Sequence, residues 1–208
     1  MADRHEIVHH GYTHVPPASL SKEQEEEGLT RGNEAIRRLC GEPARGYRSP
    51  SWDLSPYTVD LLVRHGFSYE SSMMGDDYTP YYARHGDQIR LEEPCAWGAP
   101  TELIEMPVSW TLDDYPHFEF VRTHNAVLPG LMNARGVLQN WLDDFTYMQH
   151  IVEWGVLTYT MHPFVIGRGH RMMMLERLIQ SLTQGHAAFL TMEAAAQEFS
   201  ERSQRTEE

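Results

Sequence analysis

Short apolar runs followed by capped helical patterns recur along the chain, and this alternation is the strongest constraint on its fold. Residues 6–9 read as a first strand running into a histidine-containing turn. Ser21-Lys22-Glu23-Gln24 then fits a capping box, in which a serine hydroxyl and a glutamine side chain reciprocally satisfy two amides at a helix start. Leu29, Ile36 and Leu39 give that helix an apolar face, closed by Gly41. Gly46-Tyr47-Arg48 reads as a short strand. Ser55-Pro56 supplies an N-cap and a proline at the first helical position, and the helix runs through Val59, Leu61 and Leu62 to Gly66. Phe67-Ser68-Tyr69 is the next strand, and residues 72–102 are expected to be irregular, with a hairpin around residues 88–91. Residues 103–108 form a strand that leads into a loop over residues 110–118. A helical pattern covers residues 133–154, closed by Gly155, and residues 156–161 are the clearest buried strand. Helices follow over residues 170–182, with Met172-Met173-Met174 as core filler, and after Thr191; the tail from Glu201 is expected to fray.

Repeated strand-then-helix units argue for a parallel sheet, either open or closed into a barrel. Both architectures place their chemistry at the C-terminal ends of strands. The polar residues that follow strands are therefore the candidates: His10 and His14, Arg48-Ser49-Pro50, Asp113-Asp114, and His162-Pro163. A chain of 208 residues is long enough for one domain with a full core, expected over residues 1–200 with a flexible tail at 201–208.

His10-Gly11-Tyr12-Thr13-His14 carries the sharpest local signal. A metal needs its ligand nitrogens about 2.0–2.1 Å away. Residues four apart on an extended strand are separated by roughly 13 Å and cannot share an ion. On a helical turn they lie on one face, and Gly11 supplies the backbone freedom for the chain to curl. His5 and His9 would point away from that face and are read as structural.

Composition excludes other classes. The formal net charge is −13, and only one of the 17 basic residues is a lysine (Lys22), which argues against sequence-independent nucleic-acid binding. Nowhere is there a run of about 18 apolar residues that could cross a membrane. The first residues lack the apolar stretch of a signal peptide. Cys40 and Cys95 form neither a disulfide framework nor a CxxC metal site. A cytoplasmic protein is expected.

Taken together the ordered motifs resemble the polysaccharide deacetylase family, also called the NodB-homology or carbohydrate esterase 4 group. Residues 5–14 resemble its metal motif, Gly46-Tyr47-Arg48-Ser49-Pro50 its arginine motif, and residues 157–163, with Met161-His162-Pro163, its late Leu-x-x-His-Pro motif. Residues 71–77, 110–116 and 167–171 are similar to the family's intracellular branch, which includes peptidoglycan-deacetylase-like, allantoinase-like and cyclic-imidase-like proteins.

The resemblance implies an α/β fold, a distorted (β/α) barrel of the NodB-homology type that lacks its first strand or strands. The family's opening Thr-Phe-Asp-Asp-Gly motif, which provides a general base and a third metal ligand, has no counterpart before His5, and Arg4 stands where the family often has glycine. The implied activity is metal-dependent hydrolysis of non-peptide C–N bonds. His10 and His14 would hold a divalent metal, zinc by ligand type, with iron, cobalt, manganese and nickel also compatible. His162 would be the general acid, Arg48 would orient a carboxylate or bind substrate, and Asp113 or Asp114 would tune His162 or bind substrate. Tyr47, Pro50, Trp52, Trp110 and Arg168 would line the substrate site, with Arg171 structural. The substrate would be a small-molecule or saccharide amide. Two alternatives stand beside deacetylation: opening of a cyclic imide or allantoin-type ring, and a non-catalytic fragment or partner chain. An open barrel exposes sheet edges, so a homo-oligomer is expected, with neither nucleic acid nor membrane as a partner.

Overall fold

The computed structural model describes residues 5–124, 127–128 and 130–206. The chain divides into two compact units, residues 1–107 together with 190–208, and residues 108–189.

In the first unit the capping box forms as expected. Ser21 Oγ accepts from the Gln24 amide at 3.3 Å, and Gln24 Oε1 accepts from the Ser21 amide at 2.9 Å. Helix α1 (Lys22–Cys40) starts there and ends at Gly41, whose φ of 91° only glycine adopts without strain. Leu29 is buried and Ile36 packs against the core, but Leu39 is 85% exposed, so the apolar stripe stops a turn earlier than the sequence pattern implies. Helix α2 (Thr58–Arg64) begins slightly after the expected cap, although Ser55 Oγ still accepts from the Tyr57 amide at 3.0 Å.

Strands β1 (Gly46–Tyr47), β2 (Tyr69–Glu70), β3 (Tyr81–His85) and β4 (Ala99–Glu105) form one sheet in the order β1-β2-β4-β3. The first two pairings are parallel, as expected, and put Tyr47 beside Glu70 and Glu70 beside Glu105. The β3–β4 pairing is antiparallel, with a register shift between Tyr82 and Arg84. Residues expected to be irregular thus form a hairpin, and the turn expected around residues 88–91 lies at its far end, where Gln88 bridges to Ala96. The expected strand over residues 6–9 is reduced to one parallel bridge from His9 to Tyr47, because the chain curls away at Gly11 (φ 72°).

Leu29, Tyr47, Leu61, Leu62, Phe67 and Leu103 form the core of this unit. The His9 imidazole is packed into it against α1: a Cβ on Gly32 would lie 2.1 Å from His9 Nε2. Burial lowers the pKa of His9 to about 4, so the ring is neutral. Helix α7 (Met192–Thr206) joins the unit through its amide at Glu193, which donates to Glu6 Oε2 at 3.2 Å, and through Phe199, whose ring lies 5.5 Å from that of Tyr82. The tail from Glu201, expected to fray, stays helical to Thr206.

In the second unit the expected loop at residues 110–118 is a 3₁₀ turn (Trp110–Leu112) followed by helix α3 (Asp114–Phe118). Asp113 converts one into the other by capping: its Oδ1 accepts from the Tyr115 amide at 2.7 Å. Strands β5 (Val121–Arg122) and β6 (Val127–Leu128) pair antiparallel. Helix α4 (Ala134–Ile151) packs against α6 (Gly169–Gln184), burying Val137, Trp141, Phe145 and Met148 on one and Met174, Leu178 and Leu182 on the other. Met172 and Met173 face outward and are not core residues, at 39% and 54% exposed. Helix α5 (Pro163–Ile166) precedes α6.

Residues 156–161 do not form the expected buried strand; all are only partly buried. Thr160 makes a single parallel bridge to Asp113, and the turn and helix on either side of Asp113 curl its backbone away, so the ladder stops there.

Two glycines of α1 give opposite expectations. Gly32→Ala should lower stability by about 1–3 kcal/mol through overpacking against His9. Gly28→Ala, where a Cβ meets nothing within 4 Å, should raise it by about 0.5–1 kcal/mol. Thermal denaturation of the two variants checks the pair.

Candidate functional site

The candidate residues fall in both units, and each group is described within its own. In the first unit, His9 is the last residue aligned with the sheet. Its amide donates to Gly46 O at 3.0 Å, and its carbonyl accepts from the Arg48 amide at 3.0 Å. The chain then turns through Gly11 at φ 72° and His14 at φ 55°. Gly11 is required twice, because its backbone is left-handed and because a Cβ would sit 2.9 Å from Pro50 Cγ. The turn brings the His10 and His14 rings to a centroid separation of 5.0 Å at 71°.

His10 Nδ1 lies 2.7 Å from the Arg48 carbonyl oxygen, which can only accept, so Nδ1 carries the proton. In that tautomer Nε2 presents its lone pair, the arrangement by which a backbone carbonyl orients a metal-binding histidine. A divalent cation therefore fits this turn by the chemistry of its donors: two exposed imidazoles on one turn, one with its tautomer set.

The Arg48 carbonyl is held in turn. The Arg48 guanidinium donates from Nε to Ser71 O at 2.9 Å and from Nη2 to Ser71 Oγ at 2.7 Å, and lies 5.7 Å from the centre of the Trp52 ring. Ser51 and Trp52 both have positive φ, 58° and 52°, a strained pair just after the arginine motif. Next to Arg48, the Ser49 amide and hydroxyl donate to Ser72 Oγ at 2.9 and 3.1 Å. Beneath Ser72 lie Glu70 and Glu105, both fully buried. Neither carboxylate is a candidate on sequence grounds. The available signal is a glutamate interrupting the apolar run Leu103-Ile104-Glu105-Met106.

In the second unit Asp114, fully buried, grips His162. Its two carboxylate oxygens accept from the His162 amide at 3.1 and 3.0 Å, and Oδ1 lies 2.7 Å from His162 Nδ1. The imidazole is 37% exposed, with its ring centre 5.6 Å from that of Tyr115 and 5.8 Å from that of Phe164. An aspartate on Nδ1 sets the tautomer, orients the ring and stabilises an imidazolium, leaving Nε2 to exchange a proton. Asp113 Oδ1 is 3.8 Å from His162 Nδ1 and also accepts from the Tyr115 amide. Ligand atoms of Asp113, Asp114 and His162 all lie within 4.8 Å of one another, a spacing that would also admit a cation.

The other candidates are placed as follows. Tyr47 is 2% exposed in the core, and Pro50 is buried against Gly11. Trp52 is partly buried beside Arg48, Trp110 is exposed at the start of the 3₁₀ turn, and Arg168 is the exposed N-cap of α6. Arg171 is buried and donates to Val165 O at 2.8 Å and Phe118 O at 3.0 Å, tying α6 to α5 and α3. Arg4 lies outside the described residues.

Comparison with known proteins agrees with these motifs. The polysaccharide deacetylase family profile matches residues 1–69. The peptidoglycan deacetylase of Helicobacter pylori is 33% identical over 212 residues, spanning 97% of this chain and 72% of that protein. A solved structure from Mycobacterium smegmatis, assigned to the polysaccharide deacetylases, superposes with a TM-score of 0.80 at 30% identity, over 96% of this chain and 64% of that one. An allantoinase structure superposes with a TM-score of 0.70 at 21% identity, over 93% of this chain and 58% of the other, a likeness of fold alone. The chain belongs to the polysaccharide deacetylase family and has its α/β fold, and it spans 58–64% of the length of those solved structures.

Replacing Asp114 with alanine should remove the acceptor of the part-buried His162 amide, at a cost of about 1 kcal/mol. In NMR spectra the Nδ1-bound proton of His162, hydrogen-bonded in the parent, should disappear into exchange with solvent.

Proposed function

We propose that the protein to which this chain belongs is a metal-dependent hydrolase of a non-peptide carbon–nitrogen bond, acting on an N-acetylated saccharide of the peptidoglycan class. The observation that carries the reading is the buried Asp114 holding the exposed His162 by its amide and Nδ1 together. That arrangement supplies a proton donor, which amide hydrolysis needs because an amine anion is a poor leaving group. The family membership and the peptidoglycan deacetylase from Helicobacter pylori support the substrate class.

His10 and His14 would hold the cation, zinc by ligand type. When bound, it supplies Lewis acidity toward the amide carbonyl and lowers the pKa of water. The Arg48 carbonyl keeps His10 in the binding tautomer. His162, as imidazolium, gives its Nε2 proton to the departing nitrogen while its Nδ1 proton stays on the hydrogen bond to Asp114. The C–N bond breaks, the carbonyl carbon gains the hydroxyl of water, the remaining water proton restores the His162 imidazolium through solvent, and the products are a carboxylic acid and a free amine. Exposed Trp110 and the Arg48–Trp52 pair are proposed to contact the substrate.

A second reading keeps these residues and assigns a cyclic imide or ureide as substrate. Residues 71–77, 110–116 and 167–171, similar to the intracellular branch, favour it.

His10→Ala and His14→Ala should each reduce bound zinc, measured by elemental analysis after gel filtration, and should reduce hydrolysis by the full-length protein by at least about 100-fold. Unchanged metal content and unchanged activity would refute the metal assignment. N-acetylglucosamine oligomers and cyclic imides assayed in parallel decide between the two substrate classes.

A further inference from the structure

The buried pair Glu70 and Glu105 has no part in the reaction drawn above, yet it lies under the residues that orient His10. The parallel register of β2 and β4 sets the two residues side by side at the C-terminal ends of both strands, with no solvent exposure. Two ionised carboxylates at that spacing, out of water, would repel each other and lose hydration.

The hydrogen bonds show how the pair is accommodated. The Ser72 amide donates to both carboxylates, to Glu70 Oε2 at 2.8 Å and Glu105 Oε1 at 2.9 Å. The Met73 amide donates to the same Glu105 oxygen at 2.8 Å. Ser72 Oγ donates to Glu70 Oε1. Glu105 Oε2 is buried and meets no donor among the described residues. Two carboxylates could not hydrogen-bond each other and would leave that oxygen unsatisfied, whereas a protonated Glu105 can donate to the adjacent Glu70 side chain.

We propose that Glu70 and Glu105 share one proton, and that this pair acts as a positioning device for the arginine motif and, through it, for His10. The route is continuous. The pair fixes the Ser72 amide and hydroxyl, and Ser72 Oγ receives the amide and hydroxyl of Ser49. Ser71 receives the Arg48 guanidinium, and the Arg48 carbonyl accepts from His10 Nδ1. Both glutamates are thus positioning residues that touch neither metal nor substrate. The role assigned to His10 rests on the proposed metal reading; the shared proton does not.

Burial first, and the neighbouring Glu70 charge second, raise the Glu105 pKa well above the ordinary carboxylate range. Tyr47 on β1 and Tyr81 on β3 interact electrostatically with the pair, with Asp76 acting on Tyr81 and Arg48 held one residue away on Ser71. Burial and the glutamates raise both tyrosine pKa values, so the phenols stay neutral. A carboxyl group with a raised folded-state pKa contributes stability below its unfolded value of about 4.3, and this contribution is lost as pH rises through the folded value.

The test uses carboxyl-labelled glutamate in the full chain, zinc as the metal probe, and the variants Glu105→Gln, Glu105→Ala and Ser72→Ala. In the parent, the ¹³C resonance assigned to the pair should titrate well above the ordinary range. The melting-temperature advantage of Glu105→Gln over the parent should grow from pH 5 to pH 8. Glu105→Gln, which can donate to Glu70 as the acid does, should keep zinc affinity within about twofold, while Glu105→Ala and Ser72→Ala should weaken it about 10–100-fold. Both variants should also disturb the His10 Nδ1 resonance. Ordinary titration of both carboxyls, or zinc affinity and His10 resonance unchanged in Ser72→Ala, overturns the proposal, and Ser72→Ala decides this even if Glu105→Ala does not fold. If His10→Ala leaves zinc binding intact, the metal reading alone fails, and the shared proton is judged by the carboxyl titration and the His10 resonance.

Discussion

Two carboxyl groups held out of water at adjacent register positions make the strongest demand on the first unit. Each needs donors, because an unpaired buried charge costs far more than a hydrogen bond returns. The donors come from one loop, Ser71-Ser72-Met73, which must therefore follow β2 in a single conformation. The same loop binds the Arg48 guanidinium and the Ser49 amide. Satisfying the buried carboxyls and shaping the surface above them are one structural event. The polar network lies at the C-terminal end of the sheet, where parallel strands present their chemistry.

The second unit uses the same logic with one carboxylate. Asp114 is fully buried and spends its oxygens on the amide and ring of His162. Asp113 beside it caps α3 and bridges to Thr160, which fixes the Asp114 backbone. One aspartate caps the helix and its neighbour holds the His162 ring. A pair that is symmetric in sequence becomes asymmetric once the short helix forms.

Glycine and left-handed backbone shape the surface residues. Gly11 lets the histidine turn pass Pro50, and Gly32 lets α1 approach the His9 ring. Ser51 and Trp52 adopt positive φ without glycine's freedom, and the hydrogen bond from the Trp52 amide to Ser49 O helps to hold them. Strain of this kind persists only where surrounding contacts over-determine the backbone. Here those contacts include the Arg48 guanidinium above the Trp52 ring.

Much of this protein is legible in its residues alone. The capping box at Ser21, the glycine stop at Gly41, the parallel strand-then-helix order and the ordered His, Arg, Asp and His positions are local patterns, set by backbone hydrogen-bonding needs and side-chain periodicity. They lead to the α/β class and to the family. Other features depend on distant contacts. Residues 156–161 look like a buried strand by composition, but a strand exists only where a partner continues the ladder, and Asp113 offers one bridge. Glu105 looks like an interruption of an apolar run until the β2–β4 register puts Glu70 beside it. Tyr47 stands next to Arg48 in sequence but belongs to the core by packing. Periodicity and capping act over a few residues and can be read from the chain. Register, burial and the sharing of a proton arise between segments far apart in sequence, so the tertiary structure alone decides them.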